Sequence, residues 1–255
     1  MITLNLLNDD LGIRHAFFTR QGGVSSGFFA SLNCGFGSGD TADRVARNRA
    51  IAVEQLGLTI DRLVTCYQVH SNAVITVDRP WSHDAAPRAD GLVTGASGIA
   101  LGILTADCAP ILFADKAARV IGAAHGGWRG ALGGIVEATL DRMEALGAER
   151  ARIRAGIGPC IAQCSYEVGP EFLHPFLSDD PASAAHFAPA LRPGYLMFDL
   201  PGYIERRLAR AGVANIERAA RDTAADDTDF FSYRRACLRG ERVYGRALSA
   251  IALGD

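Results

Sequence analysis

The sequence predicts an α/β fold, a single domain built on a mixed sheet. Three observations predict it: apolar runs of strand length recur between residues 13 and 253, helix-periodic segments fall between some of them, and no repeat, low-complexity tract or linker divides the 255 residues. A chain this long buries a sizeable core without disulfide staples, because surface grows more slowly than volume. One domain spanning residues 1–255 is the expectation.

Residues 13–19 read as a strand, followed by a Gly/Ser-rich loop over 21–27. Residues 41–56 read as a helix: Val45, Ile51, Ala52 and Leu56 fall largely on one face, Thr41 or Asp43 caps it and Gly57 ends it. Arg44, Arg47 and Arg49 lie among its polar positions. Strands follow at 63–69 and 73–77, with His70, Ser71 and Asn72 making the turn between them. The runs at 99–105, 110–114 and 120–124 have the composition of a sheet covered on both faces, and 115–118 is a hairpin turn. His125-Gly126-Gly127-Trp128-Arg129-Gly130 then leads into a helix over 132–146 closed by Gly147. A strand over 151–157 runs into Gly158-Pro159-Cys160, helices are expected at 171–177 and 203–211, and a closing strand at 248–253. The Ala- and Pro-containing region 179–193 reads as a surface excursion.

The charge balance is 26 Lys+Arg against 28 Asp+Glu, so no global positive field draws in nucleic acid or an anionic membrane. A small-molecule partner is expected, and a monomer. The first ten residues lack the basic and apolar pattern of an export signal. The most apolar stretch, 98–114, is broken by Asp107 and falls short of the roughly 20 residues a membrane span needs. The six cysteines, Cys34, Cys66, Cys108, Cys160, Cys164 and Cys237, show no paired spacing, which suits reduced thiols in a cytoplasm.

Three soft-metal ligands share one topological address: His70, Cys108 and His125 each fall at the end of an expected strand. A thiolate and two imidazoles suit Zn²⁺ and leave a fourth tetrahedral position for water, whose pKa such a metal lowers to roughly 7. Taken singly, Cys108 is more often a buried small hydrophobe and each His a satisfied core or surface residue, and spacing alone favours that reading. Asp107 beside Cys108 argues for use, because Asp-Cys within an apolar double-strand run costs burial energy. A metal-free alternative employs the same atoms, with Cys108 as nucleophile and His125 as base. The glycine loop before the helix exposes backbone N–H groups suited to an anion, and Arg129 adds a fork; by itself a tight strand-to-helix turn is at least an equal alternative. Near the C-terminus, Asp229-Phe230-Phe231-Ser232-Tyr233-Arg234-Arg235 can stack a base and hold an anion; an edge strand with core aromatics and a surface basic pair is the equal alternative. Arg20, Arg129 and Arg234, with the glycine loop, are therefore candidate substrate-binding residues for a phosphate or other anion, and Cys108, His125 and Asp107 candidate catalytic ones. Cys160 and Cys164, four apart without a His or third Cys nearby, receive no role.

As an ordered set these segments resemble the laccase-domain, or YfiH-type, family, which includes the bacterial peptidoglycan editing factor and the mammalian protein FAMIN. The match runs through Thr19-Arg20-Gln21-Gly22-Gly23-Val24-Ser25, Ser31-Leu32-Asn33, Asn48-Arg49, Gln68-Val69-His70, Thr105-Ala106-Asp107-Cys108-Ala109-Pro110, the His125 to Gly130 loop, Gly156-Ile157-Gly158-Pro159, Ser165-Tyr166-Glu167-Val168 and Phe230-Phe231-Ser232-Tyr233-Arg234-Arg235. The resemblance implies an α/β (α+β) fold, a single-domain mixed-sheet sandwich with helices packed outside, with zinc on His70, Cys108 and His125. It also implies purine nucleoside chemistry: phosphorolysis of adenosine, inosine, guanosine and methylthioadenosine, and hydrolytic deamination of adenosine.

Other activities attached to the family are removal of L-serine from a UDP-muramyl precursor by an amidase and copper-dependent polyphenol oxidation. Six histidines without a His-x-His pair cannot furnish several imidazole-bound coppers, although a His₂Cys set can hold one copper, so Cu²⁺ is the alternative metal. A binding module with structural zinc is opposed by the open fourth position. Two departures stand out: Asp222-Thr223 occupies the place of a common Cys-Thr pair, and Cys160 follows Gly158-Pro159 where a small apolar residue is usual.

Overall fold

The structure is a computed structural model describing residues 1–8 and 12–254. Asp9 and Asp10, the last residues of the N-terminal decapeptide considered above, lie outside the described residues. In chain order the strands are β1 (Ile13–Phe17), β2 (Leu63–Thr65), β3 (Val74–Thr76), β4 (Gly91–Thr94), β5 (Ala100–Thr105), β6 (Ala109–Asp115), β7 (Val120–Gly126), β8 (Arg154–Ile157), β9 (Glu167–Val168), β10 (Phe187–Pro189), β11 (Leu196–Phe198), β12 (Asn215–Arg218) and β13 (Ala247–Leu253). The α-helices are α1 (Ala42–Glu54), α2 (Trp128–Leu132), α3 (Ile135–Glu144), α4 (Leu173–Asp179), α5 (Leu200–Arg210) and α6 (Tyr233–Leu238).

These strands form a six-stranded mixed sheet ordered β12-β8-β6-β7-β4-β3, a four-stranded sheet ordered β1-β13-β5-β2, and a small sheet ordered β10-β11-β9. Side-chain alternation makes the two large sheets a sandwich. Along β6, Ile111 and Phe113 join Ile135, Leu140 and Met143 of α3, whereas Leu112 and Ala114 meet Leu101, Ile103 and Ile251 of the four-stranded sheet. The far face of that sheet carries Ala100, Leu248 and Ala250 against Ala52 and Val53 of α1. The layers thus run helix, sheet, sheet, helix, and the central strands read as continuous apolar runs because both their faces are covered.

Several boundaries differ from the sequence expectation. The helix expected over 132–146 is two helices, because Gly134 takes φ +90° between α2 and α3, a conformation open to glycine without a Cβ penalty. Helix α5 starts earlier than 203, where Asp199 Oδ1 accepts the Gly202 N–H at 3.0 Å and Pro201 fills the first turn. Strand β2 stops at Thr65, short of 69, because Gln68 uses its side chain as the partner of Leu104: the amide donates to the Leu104 carbonyl and accepts from its N–H, both at 2.8 Å. Region 179–193 is more than an excursion, since it holds β10, and Phe187 stacks on Phe198 at 4.8 Å. Arg49 is not on a solvated face but 5% exposed. The 229–235 segment is no edge strand: Phe230 and Phe231 are buried, and Ser232 caps α6 through the Arg235 N–H at 3.1 Å. Among the described residues, no helix is long and apolar enough to cross a membrane.

Candidate metal centre

The sandwich brings His70, Cys108 and His125 together at one edge. His125 is the next-to-last residue of β7, paired with Pro110 of β6, so it lies within a strand rather than beyond its end. Cys108 sits in the short turn by which the chain leaves β5 in one sheet and enters β6 in the other. His70 lies in the loop between β2 and β3 with φ +61°. One ligand atom from each lies within 4.8 Å of the others. Cys108 Sγ is 3.9 Å from His70 Nε2, and the imidazole rings are 4.7 Å apart at 70°.

What holds this arrangement is Asp90, which sequence reasoning missed. Its carboxylate is fully buried and accepts the backbone N–H groups of Val69 (3.1 Å), His70 (2.9 Å) and Ser71 (2.7 Å), and the Ser71 hydroxyl at 2.8 Å. The same carboxylate meets His125 Nδ1 at 2.8 Å, while its own backbone carbonyl accepts the His125 N–H at 2.7 Å. One acid therefore fixes the His70 loop and the His125 ring, leaving Nε2 of His125 toward Cys108. The available signal was an Asp opening the apolar run Gly91 to Thr94, where an acid must be satisfied or pay for burial.

The electrostatics follow from these contacts. Burial by itself would raise the Cys108 thiol, but the His125 and His70 imidazoles outweigh it and bring it down to about 6. Burial opposes charge on His125, yet the Cys108 thiolate and Asp90 carry it up to about 9. Burial likewise works against the Asp90 carboxylate, and hydrogen bonds from His125 and Ser71 bring it to about 2. A thiolate and two imidazoles form a borderline-soft donor set, with the non-ligating nitrogen of His125 already on a carboxylate. A Cβ at Gly127 would sit 2.8 Å from His70 Cδ2 and 3.1 Å from Cys108 Sγ, so glycine keeps this cradle clear. The residues fit a soft divalent ion held by three protein ligands.

Asp107 is next to the cluster but faces away from it chemically. It takes φ +89°, is 7% exposed, and accepts the Thr223 hydroxyl (2.7 Å), the Ser232 hydroxyl (2.9 Å) and the Arg234 N–H (2.6 Å). Burial raises its pKa against those hydrogen bonds. It ties the Cys108 turn to the start of α6 and lines the cavity beside the triad. Asp222, at the family's cysteine position, accepts the Ala162 N–H at 3.2 Å and the Ser165 hydroxyl at 2.5 Å, holding the turn after Cys160. Cys160 is buried and its thiol pushed up by burial; with Cys164 it joins no group of metal-ligating side chains among the described residues.

Two cavities flank the triad. One, of about 420 Å³, is lined by His70, Cys108, Trp128, Arg129, Tyr166, Phe172 and Arg234, so two of the three arginines singled out in the sequence face the centre. Arg129 lies over the Trp128 ring at 4.5 Å, and Arg234 over Tyr166 at 5.4 Å. The other, of about 410 Å³, includes His70, Cys108, His125, Arg49 and Arg246 in its walls. Arg20 lines neither. Its guanidinium donates to the Ala30 carbonyl at 2.6 Å and pairs with Asp227 at 3.0 Å, which secures the first loop, and it lines a separate cavity with Arg235 and Arg239.

The fold and this triad define an α/β sandwich protein with a candidate three-residue metal site between two cavities. The family described as multi-copper polyphenol oxidoreductase laccase matches residues 14–254. A purine nucleoside phosphorylase of Streptomyces griseus is 39% identical over 232 residues, covering 91% of this chain and 90% of that protein. The purine nucleoside phosphorylase of Deinococcus radiodurans is 40% identical over 237 residues, covering 92% and 88%. Among solved structures, YlmD from Geobacillus stearothermophilus aligns with a TM-score of 0.89 at 32% identity, covering 99% of this chain and 94% of that one. YfiH from Bacillus licheniformis aligns at 0.87 and 31%, covering 94% and 92%. The chain belongs to the laccase-domain, YfiH-type family.

Proposed function

We propose that this protein is a zinc-dependent purine nucleoside phosphorylase that also deaminates adenosine, with residues 1–255 acting as one domain. The observation that carries the reading is the His70-Cys108-His125 triad opening onto a cavity that pairs Arg129 and Arg234 with aromatic walls. Relatives of about the same length bear the phosphorylase name.

Trp128, Tyr166 and Phe172 offer flat apolar surface for a purine, and Arg129 and Arg234 offer charged donors to its carbonyl and ribose oxygens. In phosphorolysis an oxygen of hydrogenphosphate forms the bond to C1′, the C1′–N9 pair leaves with the purine, and the phosphate's proton ends on the base. In deamination water adds at C6 and ammonia departs. His70, Cys108 and His125 would hold the zinc, which would supply Lewis acidity. Asp90 keeps His125 in the tautomer that points Nε2 inward, and Asp107 holds Cys108 in register with α6.

The test is incubation with adenosine and inosine, with and without phosphate, with products separated by chromatography beside a Cys108→Ala control. Phosphate-dependent release of free base that vanishes in C108A supports the phosphorylase, and inosine formed from adenosine supports the deaminase. Absence of both refutes the reading.

A further inference from the structure

We propose that the phosphate of the reaction is taken by the second cavity, at an oxyanion subsite made by Arg49 and Arg246, on the other side of the triad from Arg129 and Arg234. The inference rests on the phosphorylase reading for the identity of the anion, but the site itself follows from buried charge.

Arg49 is 5% exposed, and among the described residues it makes no ion pair. Its Nε donates to the Cys34 carbonyl at 2.8 Å and Nη1 to the Thr65 hydroxyl at 3.3 Å, while Nη2 is buried with no partner. A buried guanidinium without a counter-ion is costly, and protein interiors seldom keep one unless something negative arrives. Burial lowers its pKa to about 10, which leaves the cation intact at neutral pH. The side chain is locked: its Cζ lies 4.5 Å over the Phe36 ring, and Phe36 stacks on His83 at 4.3 Å.

Arg246 completes the subsite. It shares the cavity with Arg49 and the triad, and it too makes no ion pair among the described residues. A Cβ at Gly35 would press on its stem at 3.1 Å, and one at Gly37 would stand 4.0 Å from Nη1, so the glycines of that loop seat its guanidinium in the wall. No Asp or Glu lines this cavity, whereas Glu167 lines the Arg129–Arg234 one and would repel an anion. Arg129 is exposed and needs no counter-ion, whereas Arg49 is buried. With the nucleoside on one side of the triad and phosphate on the other, the anomeric carbon lies between them.

Binding of inorganic phosphate to the purified protein, followed by ³¹P NMR and calorimetry, tests this apart from turnover. Arg246→Gln and Arg49→Gln are expected to weaken phosphate binding roughly 10- to 100-fold, the usual loss for a charge-assisted fork. Arg246→Lys recovers part of it, and Arg129→Ala binds phosphate as wild type does. Should R49Q not fold, R246Q and R246K decide alone. Wild-type binding that is absent, or unchanged in the Arg246 variants, overturns the subsite. Phosphate-dependent turnover whose phosphate KM ignores Arg246 also overturns it while sparing the phosphorylase reading. Arginine-dependent phosphate binding without nucleoside cleavage upholds the subsite and removes that reading.

Discussion

Asp90→Asn is the sharpest test of how the centre is built, since it removes one oxygen and adds one N–H pair. Oδ2 accepts the Val69 and Ser71 N–H groups and the Ser71 hydroxyl, while Oδ1 serves the His70 N–H and His125 Nδ1. If the amide nitrogen takes the Oδ2 place, two buried backbone donors face a donor, each costing about 1–3 kcal/mol. If it takes the Oδ1 place, the His70 N–H is orphaned and His125 must accept at Nδ1, which moves its proton to Nε2 and removes the lone pair aimed at the cluster. Either orientation destabilises the metal-free protein, by about 2–6 kcal/mol in the first case, and lowers zinc affinity by roughly 10- to 100-fold. Urea unfolding of chelator-stripped protein reads the first quantity, and competition with a chromophoric chelator reads the second. Metal-free stability within about 0.5 kcal/mol of wild type, together with unchanged zinc affinity, would refute the assignment of Asp90 as the organiser.

Gly127→Ala separates crowding of the centre from damage to the fold: Gly127 has ordinary φ −72° and ψ 159°, but the new Cβ meets His70 and Cys108. Zinc affinity falls roughly tenfold while unfolding free energy stays within about 1 kcal/mol, measured by the same two assays; equal zinc affinity would contradict the cradle. His15 gives a pH prediction, because it is buried, accepts the Leu4 N–H at 2.9 Å, and is held down to about 4 by burial against the opposing pull of Glu217. The unfolded chain takes up this proton near pH 6.5 and the folded one only near 4, so stability is full above 6.5 and falls by about 3 kcal/mol on acidification to 4. His15→Gln flattens that part of the profile in urea melts across the range, and an identical profile in the variant would exclude His15 as its source.

Much of the centre was legible because its chemistry is carried by residue type. Cys and His at the ends of apolar runs stand out against their neighbours, so the three side chains that the fold brings within 4.8 Å of one another were legible in the sequence. Asp90 and Arg49 were not. Asp90 sits 20 residues from His70 and 35 from His125, and its role consists of hydrogen bonds across those separations. Arg49 falls on a helix whose polar positions invite a solvated reading, and only the packing of Phe36, Cys34 and Thr65 around it makes it a buried cation. Arg20, an arginine in a glycine loop, pairs with Asp227 away from the triad, a placement its own neighbours do not reveal.

By itself the sequence determined the local alternatives: which segments are apolar with period two, where glycine must break a helix, and which side chains are able to bind a soft metal. These are properties of neighbouring residues and need no knowledge of the rest of the chain. Tertiary structure alone decided that two sheets would part at Cys108, that one carboxylate would serve both histidines, and that the triad would lie between two cavities with arginines of opposite character. Those outcomes depend on burial and on contacts between residues far apart in the chain. The cost of a charge or an orphaned N–H group is set by what surrounds it, which no single stretch of sequence contains.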